Sequence, residues 1–253
     1  MNGWKYVIAL LLWSWGAAAE CPRLQAEEKA NIRHVVDGDT VILQDGRVIR
    51  FIGIDTPEFN KHNEQPAEAG AETARRWLVN KIVKQSHLKL VFGVKRRDDY
   101  GRWLAHPLTS EGELLVTQML AQGLGQLMLL PPNDEYWPCW LAAEQQARRA
   151  RVGIWSVPLA AEPSVSGWQM FSTSVVRGYS GTGRAELLLE GNLRVTAGRP
   201  LSSAARTRLM AFKPGDRLFV RGWVRAAEKG WQLWLNHSWQ FYQDKVIDCA
   251  GQC

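Results

Sequence analysis

Between Val35 and Ile54 the chain leaves no room for a helix. Val35-Val36 and Thr40-Val41-Ile42-Leu43 are strand material separated by Asp37-Gly38-Asp39, and Asp45-Gly46 then turns the chain into Val48-Ile49-Arg50-Phe51-Ile52-Gly53-Ile54. Short β-branched runs punctuated by Asp and Gly force antiparallel neighbours joined by tight turns. Leu88-Lys89-Leu90-Val91-Phe92 and Trp103-Leu104-Ala105 supply two later strands. Helical spacing of Ala71, Ala74, Trp77 and Leu78 predicts a helix over residues 67–83, and two more follow over 114–122 and 140–151, stopped by Gly123 and Gly153. Five strands around a small core with helices packed at one end predict an OB-type barrel, mainly β with helices.

A second region begins after residues 154–164, where two prolines and several small residues follow an arginine-rich helical run. Strands are expected over 173–177, 184–189, 193–196, 217–224 and 231–235, with one helix over 202–212 between the third and fourth. That is again the order of an OB-like barrel. The organisation expected is a leader over 1–19, a first barrel domain over 20–157, a linker over 158–167, an accessory barrel over 168–245 and a cysteine-containing tail over 246–253.

The first residues resemble an export signal. Lys5 is followed by an uncharged run from Tyr6 to Gly16 and by Ala17-Ala18-Ala19 before Glu20. The run is short for a membrane span, so the mature chain is expected in the periplasm or secreted, without a transmembrane segment. Cys21, Cys139, Cys249 and Cys253 then read as disulfide partners with three possible pairings. They lack the close spacing of a zinc site. Charge is uneven: residues 20–158 balance 18 Lys and Arg against 18 Asp and Glu, whereas the remainder carries 12 against 7. A polyanionic partner therefore fits the second region better than the first.

The chemistry concentrates at the strand ends. Asp37-Gly38-Asp39-Thr40 and Asp55-Thr56-Pro57-Glu58 each read, taken alone, as turn formers. Together they are clustered carboxylates able to hold a hard cation through oxygen. Arg50 alternates with Ile52 and Ile54 on a strand, so its guanidinium faces core residues and needs an anionic partner. Arg102, in Asp98-Asp99-Tyr100-Gly101-Arg102, enters another strand. Carboxylates, a metal and two arginines would make one site for a phosphodiester, because arginine's planar fork matches phosphate oxygens.

Val36-Asp37-Gly38-Asp39-Thr40, then Arg50 to Glu58, then Asp99-Tyr100-Gly101-Arg102-Trp103-Leu104-Ala105, then Leu120-Ala121-Gln122-Gly123-Leu124 and residues 147–155 resemble the staphylococcal nuclease (thermonuclease) family in order and spacing. The resemblance covers about residues 32–155. It implies a five-stranded OB barrel with three helices and a calcium-dependent nuclease acting on DNA and RNA with little base specificity, leaving 3′-phosphate products. By the same resemblance, Asp39, Asp55 and the backbone carbonyl of Thr56 are the Ca2+ ligands, and Asp37 stands behind them. Glu58 handles the attacking water, and Arg50 and Arg102 grip the phosphate, with Tyr100 beside the substrate. One departure is the absence of tyrosine from Leu127-Met128-Leu129-Leu130, where the family places rings against the base and sugar.

The second region resembles more weakly the C-terminal extension of some bacterial secreted relatives, through Pro214-Gly215-Asp216-Arg217, Val220 to Val224 and Leu235-Asn236-His237. Its five tryptophans, Trp168, Trp223, Trp231, Trp234 and Trp239, are either a stacking platform for single strands or core. The alternative to an enzyme is a nucleic-acid or surface-binding module that kept the motif without turnover. No histidine pair has metal spacing, no serine sits in a nucleophile elbow, and no obligate protein partner is evident.

Overall fold

A computed structural model describes residues 21–59, 66–85, 87–129, 131–181 and 184–244. The expected leader, Cys249, Cys253 and the tail lie outside these residues. Among the described residues no helix is long and apolar enough to cross a membrane.

The first sheet contains β1 (Glu28–Ala30), β2 (Ile32–Val35), β3 (Thr40–Leu43), β4 (Val48–Phe51), β5 (Leu88–Arg97) and β6 (Trp103–Leu108), in the order β1-β5-β6-β4-β3-β2. Strands β2 to β6 are the five expected barrel strands, and β1 is a short addition on β5. All pairings are antiparallel except β4 with β6, where Ile49 faces Trp103 and Arg50 faces Leu104. This is an OB barrel. Its helices are α1 (Ala71–Gln85), α2 (Leu115–Ala121) and α3 (Trp137–Ala150). The first begins later than the pattern predicts, because Gly70 at φ 92° turns the chain immediately before it. The third begins earlier, with Pro138 accommodated in its first turn, where a missing N–H costs nothing.

Ile49, Phe51, Ile54, Leu78, Leu90 and Trp140 are among the fully buried residues of the first core. Trp140 is therefore core. Its ring lies against Gly53, where an added Cβ would meet it at 2.5 Å and where φ is 95°. That contact fixes the turn after β4 and delivers Ile54-Asp55 to the barrel end. A disulfide joins Cys21 to Cys139 across 118 residues of sequence, tying the start of the described chain to α3.

The second sheet contains β7 (Gly167–Gly181), β8 (Arg184–Leu189), β9 (Leu193–Ala197), β10 (Arg217–Ala227), β11 (Gly230–Leu235) and β12 (Phe241–Gln243). Its order is β11-β9-β8-β7-β10-β12, and β10 also pairs with β11, which closes β7 to β11 into a ring. Helix α4 (Ser203–Met210) sits between the third and fourth strands, opened by the Ser202 hydroxyl accepting from Ala205 N. Phe171, Leu187, Val195, Leu209, Val220 and Leu233 are buried within this second core.

The seam between the two cores is itself buried. Trp239 packs into the first core although it follows β11. Arg221 of β10 meets Glu144 of α3 through Nη1 to Oε1 at 2.7 Å and Nη2 to Oε2 at 2.5 Å, both side chains without solvent exposure. Glu144 Oε1 also accepts from Leu127 N at 2.7 Å. Arg148 donates to Tyr242 Oη at 2.5 Å and to Asp244 at 3.2 Å.

Candidate active site

The turn between β2 and β3 carries two of the carboxylates. Asp37 Oδ1 accepts from Asp39 N at 2.9 Å, which curls Asp37-Gly38-Asp39 into a tight bend. Glycine is required here by space: a Cβ on Gly38 would lie 2.7 Å from Ala74 Cβ of α1 and 2.8 Å from the Thr56 side chain. The close approach brings Thr56 onto Asp39, whose Oδ2 accepts from Thr56 N at 2.8 Å and Thr56 Oγ1 at 3.1 Å. Its Oδ1 accepts from Thr40 Oγ1 at 2.9 Å.

Arg50 closes the cluster. The β3–β4 register sets it opposite Thr40, and its side chain reaches past the strand end. Nη1 lies 2.7 Å from Asp39 Oδ2 and donates to Ile54 O at 2.8 Å, while Nη2 donates to Asp55 Oδ1 at 2.9 Å. One guanidinium thus bridges two carboxylates 16 residues apart in sequence. Burial opposes its charge, but the fields of Asp39, Asp55, Asp37 and Glu58 outweigh burial and raise its pKa further.

The carboxylates outnumber the cation. Burial, with the neighbouring charge of Asp39, pushes Asp37 up to about 7. Burial also raises Asp55, against the opposing pull of Arg50. Three acids against one guanidinium leave excess negative charge in a poorly solvated place, which a divalent cation relieves. The donors are carboxylate and carbonyl oxygens only, the chemistry of a hard ion. Among the described residues no three His, Cys, Asp or Glu side chains converge as a ready-made metal cage. Protein donors here are few, and this suits an ion that keeps water or substrate oxygens in its shell.

Glu58 follows on the same strand exit. Its N–H donates to Glu68 Oε2 at 3.1 Å and its carbonyl accepts from Glu68 N at 3.0 Å, pinning residues 55–58 to the approach of α1. Arg102 is held differently. Its Nε donates to Asp98 Oδ2 at 2.7 Å and its backbone N–H to Asp98 Oδ1 at 2.9 Å. Tyr100 N also donates to Asp98 Oδ1, at 3.0 Å. Arg102 immediately precedes β6, in which Leu104 is the partner of Arg50. Tyr100 is 87% exposed with the Arg102 guanidinium 5.6 Å from its ring centre. Asp37, Asp39, Arg50, Asp55 and Thr56 therefore meet directly, while Arg102 and Tyr100 are gathered by Asp98 on the turn before β6.

Sequence reasoning missed the roles that three residues play here. Asp98, read only as part of a motif, orients both Arg102 and the Tyr100 backbone. Gln126 pairs with Asp55 through two backbone hydrogen bonds of 2.8 Å and donates from Nε2 to Asp55 Oδ2 at 3.2 Å. Trp168, in β7, donates from Nε1 to Gln126 Oε1 at 3.2 Å. An indole N–H can only donate and an ionised carboxylate can only accept, so this chain fixes which way the Gln126 amide faces. Gly125, flanking Gln126, permits this close approach, since a Cβ there would fall 2.5 Å from Asp55 O.

Comparison with known proteins places the chain in a family. Residues 48–157 match the family model described as staphylococcal nuclease homologue. The thermonuclease of Staphylococcus intermedius is 32% identical over 128 residues, covering 49% of this chain and 74% of that protein. The thermonuclease of Staphylococcus hyicus is 32% identical over 136 residues, covering 51% and 77%. Endonuclease YncB of Bacillus subtilis is 30% identical over 152 residues, covering 52% and 70%. With a relative above 30% identity matched over most of its length, and an OB barrel carrying the motif residues at its end, the chain belongs to the staphylococcal nuclease family.

Proposed function

We propose that this protein is a calcium-dependent nuclease that hydrolyses phosphodiester bonds of DNA and RNA with little sequence preference. The observation that carries the reading is the bridging of Asp39 and Asp55 by Arg50, in a cluster with more carboxylate than guanidinium charge. The names of its relatives, thermonucleases and an endonuclease, support it.

In this reading the Asp39 and Asp55 carboxylates and the Thr56 carbonyl would hold Ca2+, with Asp37 behind them. Bound there, Ca2+ would supply positive charge against the phosphate as negative charge builds on it. Glu58 orients the attacking water and accepts its proton. Arg50 and Arg102 bind the non-bridging oxygens, and Asp98 sets the fork of Arg102. The water oxygen bonds to phosphorus as the bond to the 5′-oxygen breaks, leaving a 3′-phosphate and a 5′-hydroxyl. Residues 20–157 would form the catalytic domain and 168–245 an accessory domain. A periplasmic or secreted location is supported by the signal-like first 19 residues and by the Cys21–Cys139 disulfide, since such bonds persist in oxidising compartments.

Plasmid digestion with added calcium and with chelator tests the reading. Cleavage should require calcium and fall sharply in Glu58→Gln. Absence of cleavage by the wild-type chain at any calcium concentration would leave a binding module instead.

A further inference from the structure

The second barrel presents an aromatic surface linked to Asp55 through Gln126. In the antiparallel β7–β10 pairing Trp168 stands opposite Trp223, with ring centres 6.4 Å apart at 72°. Trp168 is clamped on two sides: its Nε1 is occupied by Gln126, and its ring lies 6.0 Å from Trp239 in the buried seam. Trp223 by contrast is 66% exposed, although its neighbour Val224 is 1% exposed. The path from Asp55 to this indole runs through contacts of 3.2 Å to Gln126, 3.2 Å to Trp168 and 6.4 Å to Trp223.

The surroundings suit one class of ligand. Arg225 lies two residues further along the same face of β10, exposed and without an ion pair among the described residues. Trp234, on neighbouring β11 one step beyond the Val224–Leu233 pair, is 44% exposed. The sequence from residue 159 onward carries 12 Lys and Arg against 7 Asp and Glu. Residues 127–129 offer no ring, being Leu127, Met128 and Leu129. An exposed indole fixed from behind, with a free guanidinium beside it, matches a base and its phosphate.

We propose that Trp223, braced by Trp168, is a stacking subsite for a base of the single strand that flanks the scissile phosphate. The inference rests on the nuclease reading for its substrate. The contacts Asp55–Gln126, Gln126–Trp168 and Trp168–Trp223 link the Trp223 ring to the carboxylate cluster. Each base stacked on an aromatic ring contributes enough that removing the ring weakens binding about 5- to 100-fold.

The test uses full-length protein and a fluorescently labelled single-stranded oligonucleotide, with calcium replaced by chelator so that binding is read without cleavage. Trp223→Ala should weaken binding about 5- to 100-fold, and Trp223→Phe should restore most of it, because a π-face remains. The same oligonucleotide built of abasic sites should bind wild type and Trp223→Ala alike. With calcium, kcat/KM for the oligonucleotide should fall in Trp223→Ala relative to that for a small aryl phosphodiester. Unchanged binding by Trp223→Ala, or equal weakening with intact and abasic strands, overturns the subsite. Failure of wild type to cleave either substrate would sink the nuclease reading, while the chelator arm still decides whether Trp223 stacks on a base.

Discussion

Asp37 is where a single residue exposes the electrostatics of the cluster. Its pKa is pushed up to about 7 in the folded protein, against 3.8 for the ordinary carboxyl. The folded state therefore binds the proton more tightly than the unfolded chain. That contribution to stability is complete below about pH 4 and is lost as pH rises through about 7. Above that range the metal-free protein carries the full cost of ionising Asp37. Asp37→Asn keeps an Oδ1 acceptor for Asp39 N but cannot ionise. In chelator it should exceed wild type in stability by on the order of 1–3 kcal/mol at pH 8, with the difference vanishing near pH 4. Denaturant titrations across that range measure it, and parallel pH curves for the two proteins would refute the assignment. Arg50 gives the complementary prediction. A lysine ammonium cannot serve Asp39, Asp55 and a phosphate with the same fork, so Arg50→Lys should lower turnover by roughly 10²-fold in calcium. A near wild-type rate for plasmid cleavage would remove Arg50 from the phosphate site.

At the scale of elements, the site depends on how closely α1 and the Asp55–Thr56 exit approach the β2–β3 turn. Gly38→Ala places a methyl 2.7 Å from Ala74 Cβ and 2.8 Å from Thr56, so one of these must move. The expected cost is about 1–3 kcal/mol of stability. Calcium affinity, followed by calorimetry, should weaken as Thr56 leaves Asp39, and unaltered affinity with unaltered stability would show that the turn yields without consequence. Much of this architecture is legible in the sequence because the turns are written in Asp and Gly and the strands in β-branched residues. Strand β7 is read much too short. Expected over 173–177, it runs from Gly167 to Gly181: its first residues are strand through pairing with β10, and Gly178-Tyr179, exposed and without apolar alternation, through pairing with β8. The strand β4 is read too long for the opposite reason: Ile52 and Ile54 are apolar because they are core, yet they lie in the turn that Gly53 makes against Trp140. The motif carboxylates and Arg50 are visible because strand-end charges need partners. Gln126 and Trp168 are not, since their side chains act across 71 and 42 residues of sequence and nothing local marks them.

Across the whole molecule, the two barrels are joined by a charge pair that neither could tolerate alone. Glu144 and Arg221 have no solvent exposure, and each presents both of its paired atoms to the other. Arg221 also lies 4.9 Å from the ring centres of Phe219 and Trp239, so it is sandwiched as well as paired. Removing one partner leaves a buried charge uncompensated, which costs about 3–5 kcal/mol, far more than the pair contributes over an apolar replacement. Arg221→Met should therefore destabilise the protein by that order, with Glu144 left only the Leu127 N–H. Adding Glu144→Gln should recover part of the loss, because the amide carries no charge yet still accepts from Leu127 N. Wild type should unfold in one transition, since Trp239, in the turn between β11 and β12, completes the first core, and Arg221→Met should split or broaden it as the seam weakens before either barrel. Calorimetry of the three proteins decides the matter. Two well-separated transitions already present in wild type, or additive effects of the two substitutions, would mean the barrels fold independently and the pair does not couple them.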